Sequence, residues 1–254
     1  MPWDPDRYHQ FQREREAPFD DLLALIERRP GLQVVDLGCG PGELTRRLAD
    51  ELPESDVVGI DNSEEMLERA SHDTRPGLRF ELGDIGTVSG RWDLVFSHAA
   101  IQWLDDHEAL VPRLVSLVRP GGQLAVQVPS NQRHPALAYI RDVAREQPFA
   151  AALGGYNRDF PVLTVDRYAN LLYESGGTNL TAFEKVYPHV LEDADALVDW
   201  SLGTALVPYL ERLPSELHES FLNQYREKLR ARWPGRPVFY GFRRILFAAT
   251  VPNR

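Results

Sequence analysis

The sequence predicts an α/β protein with a doubly wound, mostly parallel sheet of seven strands, a Rossmann-like fold, and a helical lid before the last strand. Short apolar runs alternate with helical patterns through the first half, which is typical of a parallel sheet covered by helices. A glycine-rich turn follows the first strand, where sheets of this kind bind ligands. Two late helices exceed what a minimal sheet requires, and we interpret them as the lid.

Apolar runs and helix signals place the elements in order along the chain. The opening helix, residues 18–29, has one apolar face and stops at Pro30-Gly31. The strands are predicted at residues 33–37, 57–60, 78–81, 92–97, 124–128, 181–191 and 239–251. The later helices, each with apolar periodicity, are predicted at residues 42–51, 63–71, 108–118, 135–146, 164–175, 194–213 and 215–233. We also expect a tight turn at residues 120–122 and an irregular stretch leading up to Pro161.

The length of 254 residues suits one large domain or one domain with a substantial insertion. We therefore expect one core interrupted by the lid. The predicted parts are an amino-terminal arm and helix (1–30), a cofactor-binding core (31–192), the helical lid (193–236) and the closing strand of the core (237–254).

Composition limits the function classes. The net charge of −10 argues against a broad nucleic-acid surface, although basic residues cluster at 226–236 and 243–244, so we expect a small-molecule substrate. No apolar run approaches the roughly 18 residues that span a bilayer, and the start of the chain does not resemble a signal peptide. The single cysteine, Cys39, fits a reducing cytosol. We expect a cytoplasmic monomer or weak dimer.

The turn at residues 36–42 is the strongest functional signal. Gly38 and Gly40 follow the first strand, and glycine lets a ligand approach the backbone closely. A dinucleotide fingerprint requires a third glycine where this chain has Glu43. Asp36 stands two places before the first glycine, where it would repel a pyrophosphate and attract an amino acid's ammonium group. The turn therefore favours S-adenosylmethionine over a nicotinamide dinucleotide.

Acidic residues also follow the next two strands. Asp61 is placed to accept hydrogen bonds from ribose hydroxyls, and Asp84 from the adenine amino group. An aspartate after a strand is often only a helix cap or a turn residue, but a suitable acid on three successive strands favours a cofactor site. Residues near these acids in the sequence complete the expected cofactor contacts: Asn62, Met66 and Ile85.

These motifs resemble those of the class I methyltransferases, and more closely those of the trans-aconitate 2-methyltransferases. The narrower matches are Trp3-Asp4-Pro5, Gln102-Trp103-Leu104, Val126-Gln127-Val128-Pro129, Asp199-Trp200, 204–208 and 242–247. The resemblance implies methyl esterification of a small polycarboxylate by S-adenosylmethionine. His98 stands where relatives usually have asparagine, and Val207 where some have arginine.

Methyl transfer to a carboxylate needs positioning and no dedicated catalytic residue, because the acceptor is already ionised. Arginine suits the acceptor's charge, and alternation along the closing strand points Arg243 and Arg244 to opposite faces. One of them is expected to face the pocket; a surface strand with one salt bridge is the alternative. His98 is expected at the mouth of the site, although a capping histidine would look the same. Further candidate substrate contacts, which could equally be core residues, are Tyr209 and Tyr240.

Several aromatic and basic residues complete the expected site. Phe11 and Arg15 are interpreted as part of a flap over the cofactor, with disorder as the alternative for such an arm. Trp103 is expected to flank the adenine unless it is a core tryptophan. His107 and His189 are distant from each other in the sequence, so we expect no metal site.

Other functions remain open from the residues alone. An enzyme of the same fold could methylate an amine or a hydroxylated metabolite. A non-catalytic module could bind S-adenosylmethionine without turnover, and a nicotinamide enzyme is disfavoured by Glu43 and Asp36.

Overall fold

The computed structural model describes residues 13–158 and 160–253, with side chains from residue 17 onwards. The strands are β1 (Gln33–Leu37), β2 (Asp56–Asp61), β3 (Leu78–Leu82), β4 (Trp92–His98), β5 (Val118–Pro129), β6 (Thr178–Leu191) and β7 (Val238–Thr250). The helices are α1 (Arg13–Leu23), α2 (Glu43–Glu51), α3 (Glu64–Ala70), α4 (His107–Ser116), α5 (Pro135–Ala144), α6 (Phe149–Ala152), α7 (Val165–Glu174), α8 (Asp195–Leu202), α9 (Val207–Leu210) and α10 (Ser215–Arg232). Short 3-10 turns cover Ser71–Asp73 and Ile101–Trp103.

Within the described ranges, seven strands form one sheet in the order β3-β2-β1-β4-β5-β7-β6. The pairs among β1 to β5 are parallel, and β7 pairs antiparallel with β5. The chain moves outward from β1 to β3, then returns to the other side of β1 for β4 and β5. The strand order therefore reverses beside β1, and a ligand crevice is expected at the carboxyl ends of β1 and β4. The predicted sheet is confirmed.

The central strands β1, β4 and β5 are buried on both faces, as parallel strands covered by helices require. Along β5, Leu124, Val126 and Val128 pack in one apolar cluster, while Ala125 packs in the cluster that contains Phe19 of α1. This alternation follows from the two-residue period of a strand. The side chains of β5 thus divide cleanly between two faces, and this division places the polar residues discussed below.

The chain forms two compact units. The first, here the sheet unit, consists of Ala17–Pro129, Pro161–Lys185 and residues 244–253; the second, here the helical unit, contains Ser130–Phe160 and Val186–Arg243. The predicted lid, residues 193–236, lies within the helical unit. That unit is larger than the prediction, because α5 and α6 share its apolar cluster with α8, α9 and α10. The four-part division at residues 30, 192 and 236 stays a prediction.

Most predicted elements are present, and the differences have local causes. The helix predicted at 194–213 is two helices, because Gly203 ends α8 and Pro208 lies at the start of α9. The tight turn predicted at residues 120–122 is an irregularity inside β5, since the pairing with β4 resumes after a shift of register. The irregular stretch before Pro161 contains the short helix α6.

The opening helix also differs from its predicted bounds. It starts at Arg13 and ends at Leu23, where the prediction was residues 18–29. The proline at position 18 suggested a helix start, but it lies inside α1. After α1 the chain continues in tight turns that still bury Ile26, so the predicted apolar pattern survives the earlier helix end. No helix among the described residues has the length and apolarity needed to cross a bilayer.

Candidate functional site

The turn between β1 and α2 presents bare backbone. Gly38, Gly40 and Gly42 have φ angles of +80°, +55° and +87°, a region that favours glycine. The backbone N–H groups of Gly38 and Cys39 both donate to the Ile60 carbonyl oxygen, at 2.8 and 3.0 Å, which fixes the turn against β2. A Cβ on Gly38 would come within 2.2 Å of the Ala100 Cβ, whereas one on Gly40 would have no heavy atom within 4 Å. Space for a ligand therefore lies over Gly40.

Asp36 in β1 supplies a buried carboxylate below this turn. Its Oδ2 accepts a hydrogen bond from the Thr45 hydroxyl at 2.6 Å, while its buried Oδ1 has no hydrogen-bond partner among the described residues. The pKa of Asp36 is raised to about 7, chiefly by burial; the Thr45 hydrogen bond opposes the shift, and the nearby Asp61 adds to it. A buried acceptor left unsatisfied is costly, so this arrangement favours a cationic hydrogen-bond donor beside Oδ1.

Asp61 at the end of β2 is held by the backbone. Its Oδ2 accepts from the Gly40 N–H and its Oδ1 from the Ser63 N–H, both at 2.9 Å. Each carboxylate oxygen retains a lone pair for a ligand hydroxyl. Ser63 caps α3, whose first turn contains the half-buried Met66, and Asn62 between them is exposed. Asp61 thus connects the glycine turn to the start of α3.

The remaining predicted cofactor residues lie at two further strand ends. Ile85 extends its Cδ1 to 3.4 Å from the position of a Cβ on Gly38, so it borders the turn. The exposed Asp84 is oriented by the Gly86 N–H, which donates to its Oδ1 at 2.5 Å. Trp103, on the 3-10 turn after β4, is 51% exposed, so it is not a core tryptophan. Phe11 lies outside the described residues, as does the side chain of Arg15.

The predicted substrate residues are distributed over both units. In the sheet unit, His98 ends β4 and contacts Phe19 edge to face, with ring centroids 5.6 Å apart. Arg244 is 5% exposed, and its Nη1 donates to the Gln127 Oε1 at 3.2 Å. Sequence reasoning did not identify Gln127 as the partner of Arg244, although a polar residue in so apolar a strand was the available signal.

The other predicted substrate residues belong to the helical unit. Arg243 is exposed, on the opposite face of β7 from Arg244, as alternation predicts. The hydroxyl of Tyr209 accepts from the Arg158 N–H and donates to the Asn157 Oδ1, and that of Tyr240 accepts from the Asn131 Nδ2 at 3.1 Å. Both tyrosines are buried, with hydroxyls bonded within their own unit. These bonds are what a core tyrosine requires, and a role toward substrate stays a prediction.

The geometry fits an adenosyl amino acid with a positively charged amino group. The unsatisfied Asp36 Oδ1 and the open space over Gly40 lie at the switch point of the sheet, and a pyrophosphate there would face Asp36 and Asp61. Residues 34–122 match a family model described as a methyltransferase domain. The fold, this site and that match define the class of the protein: it is a class I methyltransferase, and its cofactor is S-adenosylmethionine.

Comparison with relatives identifies the family within this class to which the chain belongs. The chain is 50% identical to a trans-aconitate 2-methyltransferase of Deinococcus radiodurans over 259 residues, covering 100% of both chains. It is 39% identical to one of Variovorax paradoxus, covering 93% of this chain and 92% of that one. The chain belongs to the trans-aconitate 2-methyltransferase family. A solved structure of the YcgJ protein of Bacillus subtilis shares the fold, with a TM-score of 0.63, 14% identity and coverage of 94% of this chain and 100% of that one.

Proposed function

We propose that this protein transfers the methyl group of S-adenosylmethionine to a carboxylate oxygen of trans-aconitate, forming a methyl ester. The single observation that carries methyl-donor binding is the buried Asp36 Oδ1 beside a bare glycine turn. The name shared by relatives at up to 50% identity supports the acceptor. The buried guanidinium of Arg244 supports an anionic acceptor, because a desolvated arginine binds carboxylates strongly.

We assign the cofactor contacts of three acids and two glycines to the sheet unit. Asp36 would accept from the ammonium group, Asp61 from the ribose hydroxyls and Asp84 from the adenine amino group, with Gly38 and Gly40 leaving room for the ligand. The order β3-β2-β1 supports this assignment, because the acids occupy successive strand ends along one edge of the sheet. The remaining proposed contacts are Phe11, Arg15, Asn62, Met66, Ile85, His98 and Trp103.

The chemistry requires positioning. S-adenosylmethionine supplies a methyl group on a cationic sulfur. An oxygen lone pair of the carboxylate forms the new bond to the methyl carbon as the carbon–sulfur bond breaks, and the bonding pair stays on sulfur. The products are the methyl ester and S-adenosylhomocysteine, and no proton moves. The chain's task is to align acceptor and donor and to exclude water.

Five side chains are proposed as acceptor contacts: His98, Tyr209, Tyr240, Arg243 and Arg244. Arg243 is exposed, and its backbone N–H donates to the Asn131 Oδ1 at 2.6 Å. A contact between Arg243 and the acceptor would therefore come from its side chain. Arg244 offers a buried cation. Substituting each arginine separately by alanine distinguishes them. Replacement of the arginine that binds the acceptor should raise the KM for the acceptor and leave the affinity for the cofactor unchanged.

Incubation with isotopically labelled S-adenosylmethionine and a panel of small acids, amines and alcohols tests the proposal. The expected product in mass spectrometry is a labelled monomethyl ester of trans-aconitate. If only an amine or an alcohol became labelled, the protein would still be a methyltransferase, but its acceptor would not be trans-aconitate. Cofactor binding without transfer to any panel member would favour a binding module.

Finer statements about partners and location are also proposals. We propose a monomer or weak dimer that binds no nucleic acid, supported by the net charge of −10. We propose the cytoplasm as its location, supported by the single cysteine, Cys39, which is buried and forms no disulfide.

A further inference from the structure

A second group of polar side chains lies on one face of the sheet unit, beyond the proposed cofactor contacts. The cluster of Phe19 also contains Ala125 of β5 and Leu246 of β7, so alternation places Gln127 and Arg244 on that same face. His98 is the register neighbour of Gln127, and Pro129 pairs with Arg244. The side chains of Gln127 and Arg244 therefore meet near the carboxyl end of β5.

The amide of Gln127 has a fixed orientation. Its Oε1 accepts from the Arg244 Nη1 at 3.2 Å, and a flipped amide would put two donors head to head. The Nε2 group therefore points away from the guanidinium. Gln127 is completely buried, and its Nε2 has no hydrogen-bond partner among the described residues. A buried donor without a partner is costly and points to a missing acceptor.

The order of the strands relates this donor to the reaction. The three acids proposed for the cofactor occupy the ends of β3, β2 and β1, and β4 and β5 come next along the sheet. The acceptor would then approach from the side of β4 and β5, where Gln127 lies. An amide N–H beside a buried guanidinium suits a carboxylate, which can accept from both.

We propose that Gln127 and Arg244 form a subsite for a carboxylate of the acceptor other than the one that is methylated. This inference rests on the proposed function and adds to it a reason for preferring polycarboxylates. The reacting carboxylate loses its negative charge as the ester forms. A guanidinium on that group would stabilise the ground state more than the transition state and would slow transfer. A guanidinium on a second carboxylate, which stays ionised, binds without that penalty.

Two variants test the subsite. Gln127→Glu is nearly isosteric, but it replaces the donor by a carboxylate that pairs with Arg244 and repels the acceptor. Gln127→Met removes the amide without adding charge and serves if the glutamate variant does not fold. The matched controls are Gln123→Glu and Gln123→Met. Gln123 lies earlier on the same strand and face, in the middle of β5, where its Oε1 accepts from the Glu27 N–H at 2.7 Å.

Calorimetry measures binding of trans-aconitate to each variant saturated with S-adenosylhomocysteine, and kinetics measure kcat and KM. We expect both Gln127 variants to lose about tenfold or more in affinity, equivalent to about 1.4 kcal/mol, with KM raised and kcat largely retained. Methylation of crotonate, whose single carboxylate must occupy the reacting position, should have the same kcat/KM in wild type and variants. The Gln123 variants and the affinity for S-adenosylhomocysteine should not change.

The outcomes separate the subsite from the proposed function. Methylation of trans-aconitate with unchanged KM in the Gln127 variants would overturn the subsite and leave the function standing. Gln127-dependent binding without methyl transfer would support the subsite and refute the function. A loss confined to S-adenosylhomocysteine affinity would show that the pair holds the cofactor's own carboxylate, which also overturns the proposal.

Discussion

At the scale of single residues, the site depends on groups whose environment makes them unusual. Asp36 is an acid with a pKa of about 7, because it is buried and lies near Asp61. Gly38 and Gly40 share a left-handed backbone but differ in surroundings, since only Gly38 is enclosed by other atoms. Some of these residues are expected to affect cofactor binding and others the stability of the fold, so substitutions can separate the two effects.

The pKa of Asp36 predicts how cofactor affinity depends on pH. The ionised carboxylate attracts the ammonium group, so protons and cofactor compete. Affinity should approach its full value well above pH 7 and should fall as the pH drops through about 7, approaching tenfold per pH unit at low pH. Calorimetry with S-adenosylmethionine between pH 5.5 and 8 measures this slope. Asp36→Asn should bind weakly with no such slope; an equal slope in that variant would assign the titration to another group.

The two glycines predict a contrasting pair of variants. Gly40→Ala should fold, at a cost of about 1–2 kcal/mol for the left-handed backbone, but its methyl group occupies the space left for the cofactor. Gly38→Ala should destabilise the fold severely, because its Cβ would meet the Ala100 Cβ at 2.2 Å. Thermal unfolding and cofactor titration measure both effects. Normal cofactor affinity in the Gly40→Ala protein would show that the cofactor does not lie over Gly40.

At the scale of elements, a buried hydrogen-bond chain ties the 3-10 turn after β4 to α4 and α7. The Ile101 carbonyl oxygen lies 2.9 Å from the His107 Nε2 and can only accept, so this nitrogen carries the proton. The other nitrogen, Nδ1, accepts from the Tyr168 hydroxyl, which in turn accepts from the Leu163 N–H at 3.2 Å. Burial lowers the pKa of His107, which keeps the ring neutral. The histidine considered as a metal candidate is thus a structural link.

This chain predicts the effect of Tyr168→Phe. The change leaves the part-buried Leu163 N–H and the buried His107 Nδ1 without the hydroxyl, and should destabilise the protein by about 1–3 kcal/mol. Chemical denaturation measures the loss. Tyr173→Phe is the matched control, because Tyr173 lies on the same helix but is 72% exposed and should tolerate the change. Equal stability of both variants would show that the chain contributes nothing.

At the scale of the whole molecule, the chain divides into two compact units with separate apolar clusters. The proposed cofactor contacts whose side chains the structure describes all belong to the sheet unit. Binding of the cofactor should therefore stabilise the sheet unit directly.

Thermal unfolding tests the ligand class for the molecule as a whole. S-adenosylmethionine at about 100 times its Kd should stabilise the protein by about 2.7 kcal/mol, a rise in Tm of about 5–10 °C. NAD at the same concentration should produce no shift, because a pyrophosphate would face Asp36 and Asp61. A shift with NAD alone would reverse the assignment of the cofactor.

The sequence by itself determined the order of strands and helices, the glycine turn and the acids that follow successive strands. These features are local: apolar periodicity, turn residues and short motifs act over a few neighbouring positions. It also determined that Arg243 and Arg244 face opposite ways, because strand alternation is a local property.

Only the tertiary structure decided which distant residues meet. Gln127 and Arg244 are 117 positions apart, and their contact depends on the register between β5 and β7. The raised pKa of Asp36 likewise requires burial by several elements, and the extent of the helical unit depends on packing between α5, α6 and the late helices. Pairing and burial arise from long-range packing, which periodicity along one segment cannot encode.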